Sequence, residues 1–500
     1  MARGEDSQSK MDMDVEAKVA DSDSGTPNEL SHLSEEQLAK LDRRLVLKLD
    51  LILVPIVGMF YLLAFLDRAN IGNARVAGLQ TDLAITDHQY QTAITVTYVP
   101  YIVAELPSNL VLKKIGPRIL LPGLCFTWGV VTTLQSLVNN YSGLLACRFF
   151  LGLFEGGLLP GIVLYLSGFY RPAELQIRIA LFFATSALSG AFSGLLAAAI
   201  QNMEGVGNMR GWKWIFCLEG IFTACFGVFA AFFLPNNPRQ VPTFKPEEIA
   251  RCIDRLHVQA QFPDTERVTL KKVCSILKDV HIWILACISF CSGACLFGLA
   301  YFTPSIVQTL GYSTTKTQLL TVPPFVIGWI VSMIAAYLSD HYKQRGIAGI
   351  ATTLLALIGG AMMYRGRSFA MRYTALCFLI TGVYATAPSL ISWTPNNTAG
   401  YVRRATATAF IFVFTNTGGI VSTWIYPKNQ APYYLFAAKF NLSLIVFTIF
   451  FFALNIAWLW RMNKRKEEKR DEILGDYKSL SLAEQFEKLG DSHPDFKYIY

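Results

Sequence analysis

The stretch RFFLGLFEGGLLPG, residues 148–161, decides how this chain is read. It lies within residues 142–165, which otherwise form a lipid-compatible helix. Arg148 and Glu155 stand seven residues apart, two helical turns, so both point to one face about 10 Å apart along the axis. A charge at bilayer depth costs at least ~2.5–3.5 kcal/mol on insertion scales, so such a pair is kept where it faces a protein interior or a water-filled path. The stripe is a candidate functional site; a structural ion pair between two helices is the alternative. A second charged pair, Asp67 and Arg68, closes another apolar stretch and favours the functional reading.

Over the whole chain, 53% hydrophobic residues, only 16% charged and a mean hydropathy of +0.37 do not describe a water-facing surface. The expectation is an all-α membrane protein. Twelve stretches are long enough to cross the hydrocarbon core: 48–68, 89–111, 117–138, 142–165, 178–200, 212–234, 281–303, 318–339, 347–364, 370–392, 405–426 and 433–459. They divide the chain into an acid-rich, disordered N-terminal tail (1–47), a first six-helix half (48–234), a linker (235–280), a second six-helix half (281–459) and a C-terminal tail (460–500). The tail has no apolar core, so no cleavable signal peptide is expected. Within the linker, apolar Ile249, Cys252, Ile253 and Leu256 mark a short amphipathic helix along the membrane face.

Lysines and arginines orient the spans. The short loops balance, but the approach to the first span (Lys40, Arg43, Arg44, Lys48), the linker and the exit from the last span (Arg461, Lys464, Arg465, Lys466) are basic. Both termini and the linker are therefore expected in the cytoplasm. The net charge of +8 follows this topology, and no nucleic-acid partner is expected. Eight of the ten cysteines lie in apolar spans, and nothing has the spacing of a disulfide framework or metal site. No metal and no cofactor are expected.

Two six-helix halves joined by a basic loop resemble the major facilitator superfamily, and local motifs strengthen the likeness. The segment LSDHYKQRG at 338–346 is similar to the superfamily's inner loop, in which an acid at a helix end meets loop bases and latches one conformation. This implies gating roles for Asp340 and Arg345. The counterpart after the second span, NLVLKKIGPR at 109–118, keeps the glycine and bases, including Arg118, but has Lys113 where the acid is usual. A narrower resemblance is to the anion:cation symporter branch, carried by DRANIGNA at 67–74 and RFFLGLFEG at 148–156. Supporting marks are ELPSN at 105–109, WKWIFCLEG at 212–220 and GDSHPDFKY at 490–498. The whole set resembles the fungal allantoate and nicotinate permease group.

That resemblance implies proton-coupling roles for Asp67 and Glu155 and anion handling by Arg68 and Arg148. Physical reasoning reaches the same roles: burial disfavours ionisation of a carboxylate and a nearby arginine favours it, so protonation answers to which partner is present. Arg68 is the expected substrate contact, its alternative a partner for Asp67 at a gate, and Arg148 reads as the organiser of Glu155 or a gating residue of the fourth span. Asn416, beside Gly418 and Gly419, is a substrate-binding candidate whose alternative is an interhelical hydrogen bond. Tyr61, Phe65, Tyr384 and Trp393 are candidate pocket walls suited to a flat or partly apolar acid, and packing residues otherwise. Glu105 and Glu219 read as structural or gating.

The resulting expectation is a non-enzymatic, monomeric, multi-pass protein of the plasma membrane moving a small organic anion with protons. An exporter and a non-transporting substrate sensor remain open. A membrane enzyme is disfavoured because none of the six histidines lies mid-span beside an acid and no nucleotide-binding loop is present.

Overall fold

The computed structural model describes residues 34–257, 276–342, 344–399, 401–480, 484–485 and 489–500. Residues 1–33 of the tail and 258–275 of the linker lie outside the described residues. Twelve long helical spans carry the described chain: α1 Glu35–Val76, α2 Asp87–Ile115, α3 Pro117–Gln135, α4 Tyr141–Ser167, α5 Pro172–Ile200, α6 Gly211–Phe233, α7 Val280–Gln308, α8 Thr314–Tyr342, α9 Arg345–Arg365, α10 Phe369–Asn396, α11 Tyr401–Trp424 and α12 Leu435–Glu468. Ten of them are long and apolar enough to cross a membrane. The remaining two, α2 and α11, carry threonine, glutamine and asparagine among their apolar residues and pack on each other across the two halves.

Sequence-local rules set the ends. The first helix starts well before the apolar stretch, because Ser34 Oγ accepts from the Gln37 amide and Gln37 Oε1 accepts from the Ser34 amide at 2.9 Å. Residues 35–47, expected as tail, are therefore helix. Thr86 and Gln89 form the same box at the start of α2. Between α2 and α3 the chain turns at Gly116 with φ +88, a conformation that side chains resist, before Pro117 opens the next helix.

Both halves repeat one packing pattern. In the first, α1 packs on α5, α2 on α4 and α3 on α6; in the second, α7 packs on α11, α8 on α10 and α9 on α12. The halves meet through α1 with α7, α5 with α8 and α10, and α2 with α11. With an even number of spans, both termini lie on one face, here the terminal face. On the far face the seam is shut by Tyr98 OH to Tyr301 OH and Thr95 Oγ1 to Thr423 Oγ1, each 2.9 Å, and by the Lys428 amide donating to Asp87 at 2.6 Å. Gly72 of α1 lies directly against the Tyr301 carbonyl of α7, where a Cβ would fall 3.1 Å from the carbonyl carbon.

On the terminal face the linker helix, Pro246–His257, is fastened by ion pairs. Lys48 meets Glu248 at 2.7 Å, Arg251 meets Asp42 at 2.9 Å, and Arg255 meets Glu174. Trp393, expected as a pocket wall, belongs to this face. Its indole nitrogen donates to the Ile499 carbonyl at 2.8 Å, while the Asn397 side chain brackets the Ile499 backbone. The final residues thus fold back beneath the second half.

Candidate functional site

A cavity of about 70 Å³ lies between the halves. From the first half it is lined by Tyr61, Phe65, Arg68, Tyr101 and Glu155, and from the second by Ser289, Ser292, Phe297, Phe412 and Asn416. Two ring pairs span it with one ring from each half: Phe65 on Phe297 (6.1 Å, 16°) and Phe183 on Phe412 (6.1 Å, 10°).

Glu155 reaches the cavity because α4 packs backbone to backbone on α2. A Cβ on Gly152 would fall 2.9 Å from the Thr97 carbonyl carbon and one on Gly156 2.9 Å from Tyr101 Cα, so only glycine permits this approach. The carboxylate accepts from Arg68 at 2.6 Å (Nη2) and 2.8 Å (Nε), both on Oε1. Oε2 is buried and has no hydrogen-bond partner among the described residues. The Arg68 guanidinium is framed by the rings of Tyr101 (4.8 Å), Phe65 (5.2 Å) and Phe297 (5.3 Å). A buried carboxylate and guanidinium, hydrogen-bonded and walled by aromatics, are bound to each other by exclusion of water, so a competing anion or a proton exerts strong leverage on the pair.

The structure redistributes several expected roles. Glu155 pairs with Arg68 of α1, not with Arg148 of its own helix. Two turns of separation put Arg148 on the same side but too far along the axis, and it lies over the Phe216 ring at 5.7 Å, outside the cavity. Asp67 is 2% exposed and also outside the cavity. Tyr384 is a packing residue edge-on to Phe325 at 5.5 Å. Tyr61, Phe65 and Asn416 line the cavity. At the terminal face Asp340 meets Arg345 at 2.5 Å. Arg118 is tied within the first half, donating from Nε to the Ala231 carbonyl at 3.2 Å and from its amide to Asn236 at 3.0 Å. The side chain of Lys113 lies outside the described residues.

Sequence reasoning missed Ser289 and Ser292, whose buried hydroxyls have no partner among the described residues and which the cavity exposes to whatever enters it. Their i, i+3 spacing on α7 was the available signal. Tyr101 and Phe297 were missed as well, being aromatics among many.

Residues 57–423 match the family profile of the Major Facilitator Superfamily. The high-affinity nicotinic acid transporter of Saccharomyces cerevisiae is 32% identical over 462 residues, covering 92% of this chain and 85% of the relative. An uncharacterised transporter of Schizosaccharomyces pombe is 32% identical over 464 residues, covering 92% and 90%. Among solved structures, the proton:xylose symporter XylE superposes with a TM-score of 0.66 at 14% identity, covering 84% of this chain and 96% of that one. A bacterial homologue of the human lysosomal transporter Spinster gives 0.62 at 13% identity, covering 81% and 96%.

Proposed function

The chain belongs to the major facilitator superfamily, and we propose that within it the protein is a proton-coupled symporter of a small organic monoanion. The family and fold make it a multi-pass membrane transporter, not an enzyme. The observation that carries the finer reading is the Arg68–Glu155 pair on the cavity wall. Substrate carboxylate and Glu155 compete for one guanidinium. When Glu155 takes a proton at its unpartnered oxygen, Arg68 is released to the substrate; when substrate leaves, the proton leaves and the pair re-forms. Membrane potential supplies ~2.3 kcal/mol per charge per 100 mV, and each pH unit ~1.4 kcal/mol.

Membership of the anion:cation symporter branch, near the fungal allantoate and nicotinate permeases, belongs to the same proposal. The motifs at 67–74 and 148–156 and the nicotinic acid transporter among the relatives support it. The same proposal has the protein act as a monomer in the plasma membrane with both termini cytoplasmic, importing its acid by alternating exposure of the cavity to the two faces. Aromatic walls on both sides favour a flat or partly apolar acid.

Uptake of labelled nicotinate, allantoate, pantothenate and an aliphatic monocarboxylate, with and without an inward proton gradient, tests this directly. Uptake of one acid that collapses with a protonophore is the expected result. Correctly inserted protein that accumulates none of them under a gradient contradicts it.

A further inference from the structure

Behind the cavity the first half holds a second set of ionisable groups that the exchange at Arg68 does not use. It is built from α1, α3, α4 and α6 and contains Asp67, Glu219 and Arg148, which are 2%, 5% and 3% exposed. The helices are drawn together by glycine: on α3 a Cβ at Gly129 would fall 2.5 Å from the Ala224 nitrogen of α6, and Gly220 of α6 meets the Thr133 amide in return. Asn70, one turn beyond Asp67, donates its side-chain amide to Glu219 Oε2. Its own oxygen accepts from Ser193 of α5 at 3.0 Å.

The rest of the cluster is left over. Among the described residues, both Asp67 oxygens, Glu219 Oε1, and the Nε and Nη2 of Arg148 lack hydrogen-bond partners. Trp128 Nε1 and Thr132 Oγ1 face the Asp67 carboxyl as weak donors, outside ordinary hydrogen-bond geometry. Glu219 and Arg148 both lie within electrostatic reach of Asp67. Of the other elements packed here, α3 adds the thiol of Cys125, α4 the thiol of Cys147, α2 and α7 the phenols of Tyr90 and Tyr301 beside Arg148, α5 adds Ser193, and α1 and α4 add Arg68 and Glu155, which cancel. What remains is two carboxyls against one guanidinium. An uncompensated charge sealed from water is strongly unfavourable, so the balance calls for one proton.

We infer that Asp67 and Glu219 share a single transportable proton, with Arg148 as its counter-charge, making Glu219 a coupling residue rather than a helix-packing one. This rests on the proton-coupled reading above. Substrate meets Arg68 and Glu155 in the cavity, while the shared proton is held one layer deeper in the same half.

The test is the pH profile of gradient-driven uptake in Asp67→Asn and Glu219→Gln, with substrate counterflow measured beside it. Removing either carboxyl leaves one carboxylate balanced by Arg148 without a proton. Both variants should therefore move the midpoint to more acid pH by about one unit or more, and by similar amounts, since the two act as one site. Counterflow should persist. If Glu219 only packs helices, Glu219→Gln lowers uptake by one factor at every pH with the midpoint unmoved, which overturns the pairing. Should that variant fail to reach the membrane, Glu219→Asp is read instead: a displaced carboxyl moves the midpoint, and an unmoved one overturns the inference. A wild-type profile flat in pH sinks the coupling reading itself, whereas a pH-dependent wild type with an unshifted variant sinks the pair alone.

Discussion

The two halves share a helix-packing pattern but not a chemistry. In the first, five ionisable side chains, Asp67, Arg68, Arg148, Glu155 and Glu219, are buried at mid-depth. In the second, the described side chains facing the same cavity are neutral, Ser289, Ser292 and Asn416 among them, and its buried charges, such as Arg345, Arg372 and Lys466, sit near helix ends. One helix-packing pattern thus carries groups that change charge on one side and neutral hydrogen-bonding groups on the other. In the symport proposed above, proton coupling and anion capture are assigned to the first half and selection among anions to the second.

Substitutions break this comparison to different extents. Arg68→Ala strands Glu155 and removes the anion's partner, so initial uptake should fall at least about 100-fold. Arg68→Lys should not rescue it, because an ammonium cannot reproduce a planar guanidinium framed by three rings. Initial-rate assays on surface-expressed protein decide both. Gly72→Val drives a side chain into the Tyr301 carbonyl at the seam. Overpacking of about 1–3 kcal/mol against the closed far face should slow uptake roughly tenfold while leaving substrate-induced thermal stabilisation in place.

The neutral half should respond more gently. Ser289→Ala or Asn416→Ala removes one hydrogen bond that the bound acid would make, worth about 1 kcal/mol, so KM should rise roughly fivefold with the pH profile unmoved. A shifted profile would erase the division between the halves. The smallest effect is expected from Asp340→Asn. Its ion pair with Arg345 is partly exposed, and such pairs contribute about 0.2–1 kcal/mol, so uptake should change less than about fivefold.

The spans were legible in the sequence because lipid demands long apolar helices, and even a break such as Gly156-Gly157 leaves that signal intact. Partnerships were less legible. The spacing of Arg148 and Glu155 reports a shared helix face, but which neighbour meets that face is set by how α1 and α2 pack on α4, information no single helix carries. Trp393 shows the same gap: its role is fixed by Ile499, over a hundred positions later in the chain. Ser289 and Ser292 escaped notice because a hydroxyl in an apolar helix usually bonds its own backbone, and only the cavity distinguishes two that do not.

The most direct measurement of the charged half's role is Glu155→Gln in proteoliposomes, assayed in parallel for gradient-driven accumulation and for substrate counterflow. The amide keeps the shape of Glu155 and cannot take up a proton, so accumulation should vanish while counterflow continues. Accumulation that persists, or loss of both activities in correctly inserted protein, would contradict the assignment of coupling to the first half.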